Sequence, residues 1–387
     1  MASEPVIIAA ADLHVDAEAV GGWDAENNRH SNWTESFRQL NAIVDLANET
    51  SADYVVIAGD TYHTGRPKAE AVKLTTEALD RLETAKAVIV PGNHEQQAVF
   101  STHRTPVEAY LSEHRNVLHV ASEPEVFEHE GVQFALVPWS RVAGVAKLNE
   151  TSMNLGNTIE RLGEQITGSG PSMFASHIVV DEATFDSGRR SSELTMVTTT
   201  LEASVPTSLI DAGPWAIARL GHIHKRQQLS DKTGYVGSPY KVSFGERNDA
   251  KGVDVIRFDA KGRADLTFHR LDVREMIQAD LTGDSGLSAK VIAEEARPGD
   301  LVRFIIDHDE EPKGFGKALK ELAKKGVTPS IIRQPKERIE GGRRDAALAL
   351  DVDPVTAFKV YAERQGIAPA EADRLQSVFL DAISERA

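Results

Sequence analysis

Short apolar runs rich in Val, Ile and Ala alternate with segments of helical spacing through the first 270 or so residues. Residues 6–11, 54–58, 88–90, 132–137, 173–176 and 215–220 are apolar nearly throughout, as strands buried on both faces are, and each is closed by a polar turn. Between them, Phe37, Leu40, Val44 and Ala47 recur on one helical face, and Asn32 with Glu35 predicts an N-cap and capping box for that helix. Pro67 opens a second predicted helix with Val72, Leu79 and Leu82 inward; Pro106 opens a third with Val107, Tyr110 and Leu111 on its apolar side. A fourth helix is expected over about 155–166, and Gly168-Ser169-Gly170-Pro171 is a turn. The alternation predicts an α/β layered domain over residues 1–271. Residues 235–239 and 252–258 are expected to close its second sheet, the latter as a half-buried antiparallel strand.

From about residue 272 the pattern changes. A strand over 300–307, a helix over 316–325 and a strand over 330–333 predict a small α+β domain spanning 272–335. The charged stretch 336–345, with Gly341-Gly342, has the composition of a linker. Residues 346–387 then predict two short helices: Asp353-Pro354 caps the first, which carries Val355, Phe358 and Ala362, and Pro369 opens the second, which carries Leu375, Val378, Phe379, Ala382 and Ile383. Such a pair buries too little to stand alone and should dock on another surface. The polar stretch 186–200 has no clear period and is expected to be a loop near the site.

The ends of the strands carry the chemistry. Run 6–11 leads into Asp12-Leu13-His14, run 54–58 into Gly59-Asp60-Thr61-Tyr62-His63, and run 88–90 into Pro91-Gly92-Asn93-His94-Glu95. Run 173–176 leads into His177, and run 215–220 into Gly221-His222-Ile223-His224. Each of these five runs ends in Asp, Asn or His and none in Lys, Arg or Glu, a bias that points to one shared metal centre at the mouth of the sheets. Asp12-x-His14 and His222-x-His224 are expected to use the two-residue period of extended chain to present both side chains on one side.

Composition narrows the metal. The 387 residues contain no cysteine, which excludes thiolate ligands, disulfides and thiol nucleophiles and fits a reducing compartment. Carboxylate, amide and imidazole together suit manganese, iron or zinc, with magnesium also compatible. Asp12, His14, Asp60, Asn93, His177, His222 and His224 are more groups than one open octahedral ion takes, so two ions are implied, with Asp60 as the natural bridge. Two ions on the order of 4 Å apart can activate water, polarise a phosphoryl oxygen and neutralise the charge of an in-line displacement, which is what phosphoester hydrolysis needs. His94 is expected to donate to a phosphate oxygen or to protonate the leaving alkoxide, and His63 to orient substrate or His94. The formal charge of −16 argues against nucleic-acid binding by bulk electrostatics, and leaves local basic groups at Arg189-Arg190, Lys225-Arg226, 313–325 and 336–344. The six-residue first run, with no basic region before it, is neither signal peptide nor membrane span, so a cytoplasmic protein without membrane contact is expected.

In their order, Asp12-x-His14, Gly59-Asp60-x-x-His63, Gly92-Asn93-His94-Glu95, Ser176-His177 and Gly221-His222-x-His224 resemble the five motifs of the calcineurin-like metallophosphoesterases. Within them the chain is more similar to the SbcD and Mre-eleven nucleases of double-strand-break repair, through GDTYHTGRP at 59–67 and Gly237-Ser238-Pro239 to Phe244-Gly245-Glu246. That resemblance implies an α+β fold: a layered β-sandwich (α/β/β/α) with a capping domain that binds DNA and a C-terminal helical pair. It implies two manganese ions and a 3′ to 5′ exonuclease and endonuclease acting in DNA repair and recombination. It also implies a homodimer through helices near 68–84 and 106–114, and a partner ATPase of the SbcC or Rad-fifty type gripped by 346–387. Val15-Asp16 after His14 departs from the family's usual Leu-Gly, and His63 follows its archaeal and eukaryotic pattern, where many bacterial members carry Asp. The alternatives are a phosphodiesterase or phosphatase acting on a small molecule or a protein, and a scaffold with an inactive metal site.

Overall fold

In the computed structural model, residues 4–96, 105–140, 148–184, 202–281, 287–307 and 311–334 are described. The stretches 186–200 and 336–387, with the linker, the C-terminal helices and the Arg189-Arg190 pair, lie outside them. No described helix is long and apolar enough to cross a membrane.

Two six-stranded sheets form the body. The first runs Ala264–Arg270, Gly252–Phe258, Val6–Ala10, Tyr54–Ala58, Lys86–Val90, Val117–Val120; the last four strands are parallel and the first two antiparallel. The second runs Gln227–Gln228, Thr233–Tyr235, Ile217–Gly221, Ser172–His177, Val132–Val137, Glu125–His129, with its four central strands parallel. The sheets face each other across Ile7, Ala9, Val56, Val88, Phe134, Met173, Ala175, Ile217 and Ile256. Alternate residues of the first sheet, such as Ile8, Val55 and Ile89, point the other way, onto helices Ser31–Glu49, Ala69–Asp80 and Pro106–Leu111. Helices Leu148–Gln165 and Thr207–Ala212 cover the outer face of the second sheet around Phe174, Leu220 and Trp215. The layering is therefore helix, sheet, sheet, helix. Strands buried on both faces cannot alternate in polarity, and the uninterrupted apolar runs follow from that.

Several expectations change in detail. The cap of Ser31–Glu49 is His30, whose side chain accepts from the Asn32 N–H, whereas Asn32 lies inside the helix with its side-chain amide donating to the Ala17 carbonyl. Glu35 makes no capping box; it accepts from Arg38, Gln39 and the Arg274 backbone. The third helix starts at Pro106 as expected, capped by Thr105 in a capping box with Glu108, but Tyr110 on it is exposed. Helix Ala69–Asp80 stops short of Leu82, which is buried beyond its end. Gly252–Phe258 belongs to the first sheet rather than the second, because it pairs with Val6–Ala10, and it is buried nearly throughout rather than half-buried. Its Asp254 carboxylate accepts from Arg226 at 2.9 Å and lies 3.6 Å from Arg219 of the second sheet, an ion cluster between the two layers. Arg226 is thus spent on packing and is not a free basic group.

Residues beyond 275 form a parallel three-stranded sheet, Met276–Asp280, Leu301–Asp307, Ser330–Gln334, with helices Leu287–Glu295 and Phe315–Lys324. Val302, Phe304 and Ile306 pack on Ala289, Ala293, Phe315 and Leu322 as a core of their own. The root of this sheet is tied to the main body by Gln39 to the Asp272 carbonyl at 2.8 Å, by Arg274 to the Ser31 carbonyl at 3.1 Å, and by the Lys241–Glu275 pair. Arg303 stacks 3.8 Å from the centroid of the Phe244 ring.

Phe134 is fully buried between the sheets, so Phe134→Ala should cost about 3–5 kcal/mol. Met153→Ala on the exposed face of Leu148–Gln165 should stay within about 0.5 kcal/mol. Urea unfolding checks both, and a cost below about 1 kcal/mol for Phe134→Ala would remove the inter-sheet contact from the core.

Candidate metal centre

Five parallel strands from two sheets deliver their C-terminal ends to one place. Val6–Ala10, Tyr54–Ala58 and Lys86–Val90 bring Asp12, Asp60 and Asn93; Ser172–His177 and Ile217–Gly221 bring His177 and His222. Backbone bonds lock the loops together: Asp12 N to the Gly59 carbonyl at 3.0 Å, His14 N to the Asp60 carbonyl at 2.9 Å. The carboxylates lock the rest, since His222 N donates to Asp12 at 3.0 Å and His94 N donates to Asp60 at 3.0 Å. Asp12, His14, Asp60 and His222 all sit at positive φ, at 53°, 39°, 49° and 95°. Such angles cost of order 1–3 kcal/mol at a non-glycine residue and persist where the surroundings over-determine them. The pairs Asp12-x-His14 and His222-x-His224 therefore converge through left-handed kinks, and not through the extended-chain period expected. Gly92 is also required for a different reason than its φ: a Cβ there would collide with the Asp60 carboxylate and backbone N.

All seven expected groups come together, in two poles. At one, His14 Nε2 and His224 Nε2 stand 3.1 Å apart, with Asp12 within reach of both. At the other, Asn93 Oδ1 lies 2.9 Å from His177 Nε2 and 3.2 Å from His222 Nδ1, and those two nitrogens are 3.3 Å apart. Asp60 Oδ2 lies between the poles, 3.6 Å from His14 Nε2 and 3.4 Å from His177 Nε2. Asp12, Asp60, His14 and His177 are buried.

The outer nitrogen of each ring is held from behind, as in metal-ligating histidines generally. His177 Nδ1 reaches the Ala58 carbonyl at 3.0 Å, His222 Nε2 reaches Glu202 at 2.7 Å, His224 Nδ1 reaches Glu246 at 3.1 Å, and His14 Nδ1 reaches His63 Nδ1 at 3.1 Å. Glu202 and Glu246 escaped the sequence reading because they lie outside the strand-end turns, although Glu246 falls in the Phe244-Gly245-Glu246 stretch. Lys251, fully buried, ties Glu246 from the other side at 2.8 Å. Two further acids brace the loops: Glu95 accepts from Tyr62 N at 3.0 Å and Gly92 N at 2.8 Å, and Asp16 accepts from His63 N and from Thr64. Asp16 is the residue at the departure from the usual Leu-Gly, and its purpose is to fix the His63 loop.

Charge explains why the cluster suits cations. Burial alone would raise the Asp60 carboxyl, but the His177, His94 and His14 imidazoles overcome it and hold it well below the ordinary carboxylate range. Burial likewise opposes a charge on His177, yet Asp60 and Asp12 win and push it up to about 9. Burial holds His14 well below its usual value. Among the protein groups themselves, one proton on His177 thus offsets only part of the carboxylate charge, while imidazole nitrogens crowd at about 3 Å. A divalent ion held by Asp12, His14 and His224, or by Asn93, His177 and His222, would satisfy their lone pairs and take the place of that proton. The donor set is oxygen and nitrogen without sulfur, so the residues fit two hard or borderline ions.

His94 and His63 form the rim. Their rings stack at 4.6 Å, His94 Nδ1 donates to the His63 carbonyl at 2.8 Å, and His94 Nε2 faces Asp60 Oδ2 at 4.0 Å. His94 is partly exposed, as a group that meets substrate must be. Burial, then His94, lowers His63 to about 4, which keeps its ring neutral against His14. His63 therefore supports a ligand as well as His94.

Residues 5–190 match the family described as calcineurin-like phosphoesterase. Among solved structures, the chain is similar to a dimetal phosphatase from Danio rerio, at 12% identity over 69% of this chain and 96% of that one, with a TM-score of 0.40. It is also similar to a purple acid phosphatase from yellow lupin (Lupinus luteus) seeds, at 11% identity over 71% of this chain and 53% of that one, with a TM-score of 0.40.

Glu202→Gln, which weakens the hold on His222 without changing side-chain size, should lower manganese affinity about 10-fold or more. Gly92→Ala should lower it at least as far by displacing Asp60. Titration calorimetry of manganese checks both, and unchanged affinity in Glu202→Gln would show that its carboxylate does not orient the ring.

Proposed function

We propose that the calcineurin-like phosphoesterase domain formed by residues 5–190, completed by His222 and His224, hydrolyses DNA phosphodiesters as the nuclease subunit of an SbcCD-like repair complex. The observation that carries the hydrolytic part is the pair of poles sharing Asp60 beneath an accessible His94. Two bound ions supply Lewis acidity and an activated water in such a site. The chain supplies the rest. Asp12, His14 and His224 hold one pole and Asn93, His177 and His222 the other, with Asp60 common to both. The His63 carbonyl fixes the His94 ring through Nδ1, which leaves Nε2 facing the centre. There Nε2 would hydrogen-bond a phosphoryl oxygen or pass a proton to the leaving alkoxide.

Support for DNA as substrate comes from the segments similar to the SbcD and Mre-eleven nucleases. GDTYHTGRP supplies Asp60 and His63, and the 237–246 segment supplies Glu246, which holds His224. The capping sheet rests on that same segment through Arg303 on Phe244, so it lies beside the turn that holds a ligand. The reading extends to a homodimer, manganese as the metal, and a partner ATPase of the SbcC or Rad-fifty type bound by 346–387.

Linear duplex and single-stranded DNA incubated with manganese test this. The wild type should shorten both, and His94→Ser should bind manganese within about 3-fold of wild type yet cleave at least about 100-fold more slowly. Cleavage by His94→Ser at the wild-type rate would remove the proton-transfer role. Intact DNA with rapid hydrolysis of p-nitrophenyl phosphate would instead mark a phosphatase of small molecules or proteins.

A further inference from the structure

Beside the pole formed by Asn93, His177 and His222 is a cavity of about 130 Å³. Among the described residues its walls include Trp139, Ile178, Val179 and Leu155, with Asn154, Glu202 and three hydroxyl side chains, Thr158 among them, as polar groups. Three connections join it to the metal centre. Ile178 directly follows His177; Glu202 holds His222 at 2.7 Å; and Trp139 N donates to the Pro91 carbonyl at 3.2 Å, two residues before Asn93. Trp139 and Ile178 come just after the C-terminal ends of Val132–Val137 and Ser172–His177, on the same rim as the ligands.

The opposite flank differs in kind. A groove of about 390 Å³ next to His63 contains Asp16, Glu18, Arg66 and Lys68, where Lys68 pairs with Glu18 at 2.8 Å. An uncharged ring has no reason to choose that side. The cavity beside His177 offers an indole, branched aliphatic walls and an amide that both donates and accepts, which is the mixture that recognises a flat heterocycle. Its size is near that of cavities of roughly 150 Å³ that accept a benzene molecule, so it takes one six-membered ring and not a whole nucleotide.

We infer that this cavity receives the base of the nucleotide next to the cleaved bond, and that it favours a single-ring pyrimidine. The inference rests on the diesterase reading above. With the phosphate at the metal centre, the ring enters between Ile178 and Leu155, Trp139 packs on it, and Asn154 meets its polar edge. Trp139, Asn154 and Leu155 are then specificity residues that touch substrate without taking part in bond cleavage.

Two esters with the same leaving group separate this inference from the reading beneath it: thymidine 5′-(p-nitrophenyl phosphate) and methyl p-nitrophenyl phosphate, each with manganese. In the wild type, kcat/KM should favour the thymidine ester by about 10-fold or more, the size of one base stacked on an aromatic side chain. Trp139→Ala and the cavity-filling Thr158→Trp should bring the ratio to within about 2-fold of one, and Trp139→Phe should keep most of it. Equal kcat/KM for both esters in the wild type overturns the base pocket and leaves the diesterase reading intact, whatever the variants do. Hydrolysis of neither ester removes both together.

Discussion

The structure depends on like-minded groups being forced together. Buried carboxylates and converging imidazoles repel or starve one another unless positive charge lies among them. Nothing in apolar packing calls for that arrangement, and four left-handed residues are held in place to make it. The two sheets make it possible by closing on each other at this end. A Cβ at Gly221 would strike the Ala58 carbonyl and one at Gly59 would strike the His177 ring, so the strand ends touch with no side chain between them. His177 Nδ1 then bonds Ala58 across the gap between sheets. The metal centre is in this sense the seam of the sandwich, and sheet packing and ligand geometry are one constraint.

Sequence alone carried the convergence of these groups and the layers well, because both leave local traces. A strand buried on two faces is apolar for its whole length, and the residue after it in a parallel sheet emerges at the mouth, so Asp12, Asp60, Asn93, His177 and His222 are visible as polar breaks after apolar runs. What escaped depends on partners distant in the chain. Ala264–Arg270, a strand of mixed exposure at a sheet edge, has no continuous apolar signal. The sheet to which Gly252–Phe258 belongs is fixed by pairing with residues almost 250 positions earlier. Met276–Asp280 and Leu287–Glu295 are short, and neither buries a whole face. His30 as a cap and Glu35 as a junction with Arg274 likewise depend on where residue 274 returns. The positive φ values are beyond reading, since Asp and His at those positions look like any others.

The second layer of the site shows the same division. Glu246 and Glu202 each steady one histidine, but one lies 22 residues beyond His224 and the other 20 before His222, with no spacing rule to connect them. Lys251 gives Glu246 a reason to be charged while buried: burial opposes the carboxylate, and Lys251 with His224 more than compensates. The result is a relay of fixed charge, Lys251 to Glu246 to His224, that makes the imidazole nitrogen facing Asp12 a better donor. Arg303 on Phe244 brings the three-stranded sheet to the turn that carries Glu246. A shift of that sheet is therefore felt at a ligand.

A chain of net charge −16 with an anionic substrate needs an order of events. The ligand set contains Asp12 and Asp60 and no Lys or Arg, so a phosphate arriving first would meet two carboxylates at close range. Two divalent ions held by these residues would reverse the sign of the field locally and leave the rest of the surface acidic. Cations would then bind before an anionic substrate, whose attraction would be local to the seam rather than spread over the protein. Positioning then falls to short-range contacts beside the metals, where the chain provides a charged groove on the His63 side and an apolar cavity on the His177 side.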